Sequence, residues 1–157
     1  MIALKHILVA TDFSECSDAA LEQGHALAAT FDASLHLLHI VTAPLHKEWA
    51  WYEPGAEFLA HRRLDWLVAS GNFRRDRVVV ATGWGDPSDE ILKYARKHQV
   101  DLIVCGTHGR RGWDHVVMGS VAERVVRRAP CPVLTAHASP ALAVQVLRLG
   151  VEAMAAG

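Results

Sequence analysis

Val100-Asp101-Leu102-Ile103-Val104-Cys105 runs straight into Gly106-Thr107-His108-Gly109-Arg110-Arg111-Gly112-Trp113-Asp114-His115-Val116-Val117-Met118-Gly119-Ser120, and that into Val121-Ala122-Glu123-Arg124-Val125-Val126-Arg127-Arg128. The first run has the near-continuous apolar character of a buried strand, and the last has a helical pattern. Between them lies a glycine-punctuated loop that ends on Gly-Ser at a helix start. Such a loop is suited to hold phosphate. Glycines let backbone N–H groups approach an anion, and a helix N-terminus presents unpaired donors and about half a positive charge. The spacing is Gly, two residues, Gly, nine residues, Gly-Ser. It is neither a Walker loop, which needs Gly-Lys-Ser/Thr, nor the tight Gly-x-Gly-x-x-Gly dinucleotide turn.

The rest of the chain repeats the alternation of strand and helix. Residues 7–11, 35–41, 78–81, 102–105 and 133–135 read as five strands, with the Val, Ile and Leu density of parallel strands covered on both faces. Crossover helices fall between them. One contains Ala19-Ala20-Leu21 and Ala26-Leu27-Ala28, with Ser14 or Ser17 as its N-cap. Another opens on Asp86-Pro87-Ser88-Asp89, with Asp86 as cap and Pro87 at the first helical position, and turns Ile91, Leu92 and Ala95 inward. This order predicts a single doubly wound α/β sheet with right-handed crossovers, helices on both faces, over residues 1–137, followed by a helical tail over 138–157.

With these elements in place, the spaced glycines resemble the ATP-binding signature of the universal stress protein family. Three further stretches agree with that family in order: Ile7-Leu8-Val9-Ala10-Thr11-Asp12-Phe13-Ser14, Leu35-His36-Leu37-Leu38-His39-Ile40-Val41, and Ala129-Pro130-Cys131-Pro132-Val133-Leu134. Residues from Thr42 to about Arg75 and after Ala136 lie outside the resemblance. The resemblance implies a five-stranded sheet of order 3-2-1-4-5, in the Rossmann-like manner. Strands 1 and 4 are then neighbours whose connections leave in opposite directions, and ligands bind at such switch points beyond the carboxyl ends of the strands. Asp12 and Gly106, far apart in sequence, meet there.

The nucleotide site expected from the resemblance comprises Ala10, Thr11, Asp12, Ile40, Gly106, Thr107, His108, Gly109, Arg110, Gly119, Ser120 and Val121. In it Gly106 and Gly109 line ribose and phosphates, while Gly119, Ser120 and Val121 hold phosphate oxygens. Ser120 also offers a hydroxyl to a Mg²⁺ that arrives with the nucleotide. Arg110, Arg111 and His108 place donors on the loop. Asp12 has two compatible readings, as a turn residue that caps the next helix and as an acceptor for ribose or adenine. Ala10 and Ile40 supply apolar and backbone contacts at the adenine.

Composition narrows the function further. The 157 residues carry 16 Lys and Arg against 17 Asp and Glu, a net charge of −1, which argues against a general nucleic-acid binder or a polybasic membrane contact. The expectation is a cytoplasmic protein without membrane insertion, its Cys16, Cys105 and Cys131 reduced. Ten histidines invite a metal reading, but no Cys-x-x-Cys or His-Glu-x-x-His pattern occurs; His36 and His39 point to opposite strand faces, and His6, His25, His61, His98 and His137 stand apart in sequence. No Gly-x-Ser-x-Gly elbow is present either. Binding is favoured over turnover, with slow ATP hydrolysis as the most that chemistry would add.

Two segments stay open. Trp49, Trp51 and Tyr52 crowd a link and either form a contact surface or fold back on the domain. The tail from Ala141 to Ala155 has a broad apolar face that docks on its own domain or on a partner subunit. The resemblance also implies a homodimer paired through Val133, Leu134 and Thr135. The reading is a stress-response regulator that binds ATP with Mg²⁺ and acts on an unidentified protein partner. Its alternative is a nucleotide-independent dimeric scaffold of the same fold.

Overall fold

The computed structural model describes residues 3–42, 55–108 and 118–138. The Trp49–Tyr52 segment, loop residues Gly109, Arg110 and Arg111, and the tail after Ala141 fall outside them. Five strands, β1 (His6–Ala10), β2 (Ser34–Val41), β3 (Val78–Trp84), β4 (Leu102–Gly106) and β5 (Val133–Ala136), alternate with α1 (Glu15–Phe31), α2 (Ala56–Ser70), α3 (Pro87–Lys97) and α4 (Ser120–Arg128). All four strand pairings are parallel, in the order β3-β2-β1-β4-β5. This is the expected sheet.

Why the strands are apolar throughout follows from the pleat. Ile7, Val9, Leu35, Leu37 and Val104 face one side, with Ala19, Ala20 and Ala28 of α1 and Leu64 of α2. Leu8, Leu38, Ile40 and Ile103 face the other, with Ile91 and Ala95 of α3 and Val125 of α4. Each alternate residue therefore meets a helix, and no strand face of β1 or β4 is left to water.

The helix starts match their sequence signals. Ser14 caps α1, its Oγ accepting from the Ser17 amide at 3.3 Å; Ser17 instead donates to the Ser14 carbonyl at 2.8 Å. Asp86 caps α3 by accepting from the Asp89 amide at 3.1 Å, and its other oxygen takes a 3.0 Å contact from Arg124 of α4. With Arg128 on Asp89 at 2.8 Å, two ion pairs tie α4 to α3. Two glycines set how closely α1 lies on the sheet. A Cβ on Gly24 would sit 2.3 Å from Val9 Cγ2, and one on Gly106 would sit 2.8 Å from the backbone of Cys16. Because Gly106 carries no Cβ, the first turn of α1 can reach the end of β4.

β3 runs three residues beyond the expected Ala81. The register continues through Thr82 and Gly83 to Trp84 opposite Val41, so pairing with β2 carries the strand past the weak local preference of Gly83.

A candidate nucleotide site at the carboxyl ends of β1 and β4

The register places Ala10 beside Cys105, so the residues that follow each, Thr11-Asp12 and Gly106, leave the sheet next to one another. Thr11 keeps one ladder contact, its amide donating to Leu38 O at 2.9 Å. Its hydroxyl is buried, 3.0 Å from Ser17 Oγ, and also accepts from the Phe13 amide at 3.0 Å. Asp12 then folds back on the chain: Oδ1 accepts from the Ser14 amide at 3.1 Å and from Ser14 Oγ at 2.5 Å. The turn reading of Asp12 is thereby realised, and it orients the cap of α1.

This turn is strained. Phe13 has φ of 62°, in the left-handed region that bulky side chains avoid at about 1–3 kcal/mol. The surroundings hold it there. The His39 ring lies 4.6 Å from the Phe13 ring, and the Arg63 guanidinium sits 4.2 Å over its face. His39 Nδ1 meets Thr11 O at 2.8 Å, so the carboxyl end of β2 is fastened to the same turn.

On the β4 side the two ends of the loop, Thr107 and Gly119, are joined by a hydrogen bond. Thr107 N donates to Ala136 O at 2.8 Å, and Gly119 N donates to Thr107 O at 2.6 Å. The excursion is therefore pinched at its base, and α4 starts immediately beyond the pinch. Unlike Ser14 and Asp86, Gly119 has no side chain with which to cap its helix. The first intrahelical bond runs from Glu123 N to Gly119 O at 2.9 Å, so the amides of Ser120, Val121 and Ala122 precede the helical ladder. Glu123 is paired with Arg127 at 3.0 Å, one turn further on.

Of the expected site residues, Ala10, Thr11, Asp12, Gly106, Thr107, His108, Gly119, Ser120 and Val121 are all brought to this edge of the sheet; Gly109 and Arg110 lie outside the described residues. Ile40 is near the end of β2 but buried in the core against the α3 and α4 side. In this structure Gly106 is required to be glycine by the close approach of Cys16.

The sequence reading missed the company the histidines keep. His36 is buried with Nδ1 at 2.9 Å from Tyr94 Oη and Nε2 at 3.4 Å from His6 Nδ1. His98 lies 5.8 Å from its ring. Burial, and then the positive charges that His6 and His98 carry when protonated, lower the His36 pKa to about 4. His108 and His137 also meet, at 6.0 Å between ring centres. The one available signal was position: His137 follows β5 just as Thr107 and His108 follow β4.

Comparison with known proteins agrees with this geometry. The sequence profile of the universal stress protein family matches residues 3–137. A universal stress protein of Methanocaldococcus jannaschii is 33% identical over 137 residues, covering 83% of this chain and 80% of that protein. The solved universal stress protein of Lactobacillus plantarum superposes with a TM-score of 0.71 at 27% identity, over 87% of this chain and 99% of that one. A universal stress protein solved in complex with cAMP superposes at 0.65 with 26% identity, over 88% and 100%. Sheet order, glycine loop and relatives converge, and the chain belongs to the universal stress protein family.

Proposed function

We propose that this chain binds ATP, with Mg²⁺, between the ends of β1 and β4 and acts as a cytoplasmic regulator in a stress response. One observation carries the reading: an uncapped helix, α4, opens directly behind a loop whose two feet are pinned at Thr107 and Gly119. That arrangement turns the first amides of α4 and the positive end of its helix dipole toward the base of the loop, where the preferred guest is an anion. The neighbouring Thr11–Ser14 turn offers the Asp12 carboxylate to a ribose or adenine. The cAMP bound by one structural relative supports an adenine nucleotide as the class. Ser120, first in α4 and exposed, is the residue that would offer its hydroxyl to Mg²⁺.

Calorimetric titration of ATP tests this. Gly119→Val narrows the approach to the phosphates and should weaken binding roughly ten- to hundred-fold, the worth of a charge-assisted contact of about 1.5–3 kcal/mol. Equal affinities in wild type and variant would remove the loop from the site.

A second reading, a dimeric scaffold that works without nucleotide, draws on the edge strand β5, where Leu134 is 37% exposed. The two readings share the homodimer through Val133, Leu134 and Thr135, and differ in whether ATP binds the wild type at all.

A further inference from the structure

Three donors from distant parts of the chain converge beside the loop base. Cys16 lies in the first turn of α1, His108 follows β4, and His137 follows β5. One ligand atom from each, the Cys16 sulfur and a ring nitrogen of each histidine, lies within 4.8 Å of the other two. We propose that Cys16, His108 and His137 form a zinc site at the edge of the nucleotide cleft, a site that goes beyond the nucleotide reading and stands without it.

The backbone explains the convergence. Gly106 pairs with Ala136 in the register, and Thr107 N donates to Ala136 O at 2.8 Å, so the residues after β4 and β5 emerge side by side. The absent Cβ of Gly106 brings Cys16 against the same strand end. The Thr107 hydroxyl touches both rings, 3.1 Å from His137 Nδ1 and 3.1 Å from His108 Nδ1. Metal-bound imidazoles are generally oriented through their second nitrogen by such a partner. A hydroxyl has two lone pairs and can accept from both Nδ1–H groups, and in that tautomer the Nε2 atoms are free to ligate.

The donor set selects the metal. Thiolate and imidazole suit zinc, whereas Mg²⁺ and Ca²⁺ take oxygen ligands. Zinc bonds of about 2.0–2.3 Å in a tetrahedral array bring ligand atoms to within about 4 Å of one another, so rotamer adjustments of about 1 Å close the site. Cys16 loses its thiol proton to solvent as the sulfur–zinc bond forms, and affinity therefore rises with pH. Three protein ligands leave the fourth tetrahedral position for water. Cys105 takes no part: it is buried, and burial pushes its thiol pKa up to about 11.

The test is titration of the full chain, free of nucleotide, with Zn²⁺ against a chromophoric chelator, and with Co²⁺ as a spectroscopic substitute. One equivalent should bind, and Co²⁺ should give a thiolate-to-metal charge-transfer band with the intense visible bands of tetrahedral coordination. Cys16→Ser, which preserves size, should abolish the charge-transfer band. His108→Gln and His137→Gln should each weaken Zn²⁺ more than about 100-fold, and Thr107→Val about 10- to 100-fold. Cys131→Ser and His98→Gln should leave binding unchanged, and Zn²⁺ should raise the melting temperature of wild type but not of Cys16→Ser. Gly119→Val should keep zinc whatever its effect on ATP, which separates this site from the nucleotide reading. Wild type that takes no Zn²⁺, or takes it equally well without Cys16 and both histidines, overturns the site.

Discussion

At the residue scale, Asp12 carries two duties with one carboxylate. Oδ1 holds Ser14 by its amide and hydroxyl, so truncation to Ala disturbs the cap of α1 as well as any contact to ribose. The informative change is Asp12→Asn, which keeps an acceptor for Ser14 while removing charge. Asp12→Asn should hold its melting temperature close to wild type yet bind both ATP and adenosine more weakly. Asp12→Ala should also lose about 1 kcal/mol of stability, the usual cost of a damaged cap. Calorimetric titration beside thermal melts separates the two; unaltered adenosine binding in Asp12→Asn would confine this residue to the turn. The turn duty was legible because an acid after a strand and before Ser14 is a local signal. The clamp on Phe13 was not: Arg63 comes from α2 and His39 from β2, and no local spacing reports such contacts. The meeting of Cys16, His108 and His137 was hidden for the same reason, since only the register and the missing Gly106 side chain bring them together.

At the element scale, strands and caps could be read because their causes are local: continuous Val, Ile and Leu for β1 and β4, and Asp86-Pro87 for the start of α3. The packing of β2 on α3 could not. It buries a histidine, His36, whose Nδ1 meets Tyr94 Oη of α3 at 2.9 Å, with His6 of β1 and His98 at the end of α3 as its neighbouring imidazoles. The folded pKa, about 4, lies below the ordinary 6.5, so between those values the unfolded chain binds a proton that the folded chain refuses. Stability from this group is complete above about pH 6.5 and falls as pH drops toward 4, by at most about 3 kcal/mol. Denaturant unfolding at pH 7 and pH 4.5 measures it. His36→Phe, which cannot titrate, should flatten the part of the profile between those values. An unchanged slope would mean that His36 is protonated in the folded state.

For the whole molecule, the order β3-β2-β1-β4-β5 came with the family resemblance rather than from spacing, since strand alternation alone fixes parallel pairing but not which strands are neighbours. That order has a consequence at its ends. Among the described residues β5 pairs with β4 alone, and its four residues carry no charge. Exposed edges of this kind invite pairing unless blunted, and Leu134, 37% exposed, is apolar where a Lys would serve as a guard. A two-fold axis through β5 would cover Leu134 with its own copy, and such self-complementary contacts are the commonest way for an interface to close. Leu134→Lys should therefore shift the protein to monomer at micromolar concentration, because pairing would bury two like charges against each other. Removing residues from Ala141 onward should weaken the dimer as well if the apolar tail reaches the same seam, and leave it intact if the tail docks on its own domain. Light scattering coupled to size exclusion reads both variants. A monomeric wild type refutes the dimer, and a dimer unmoved by Leu134→Lys moves its interface away from β5.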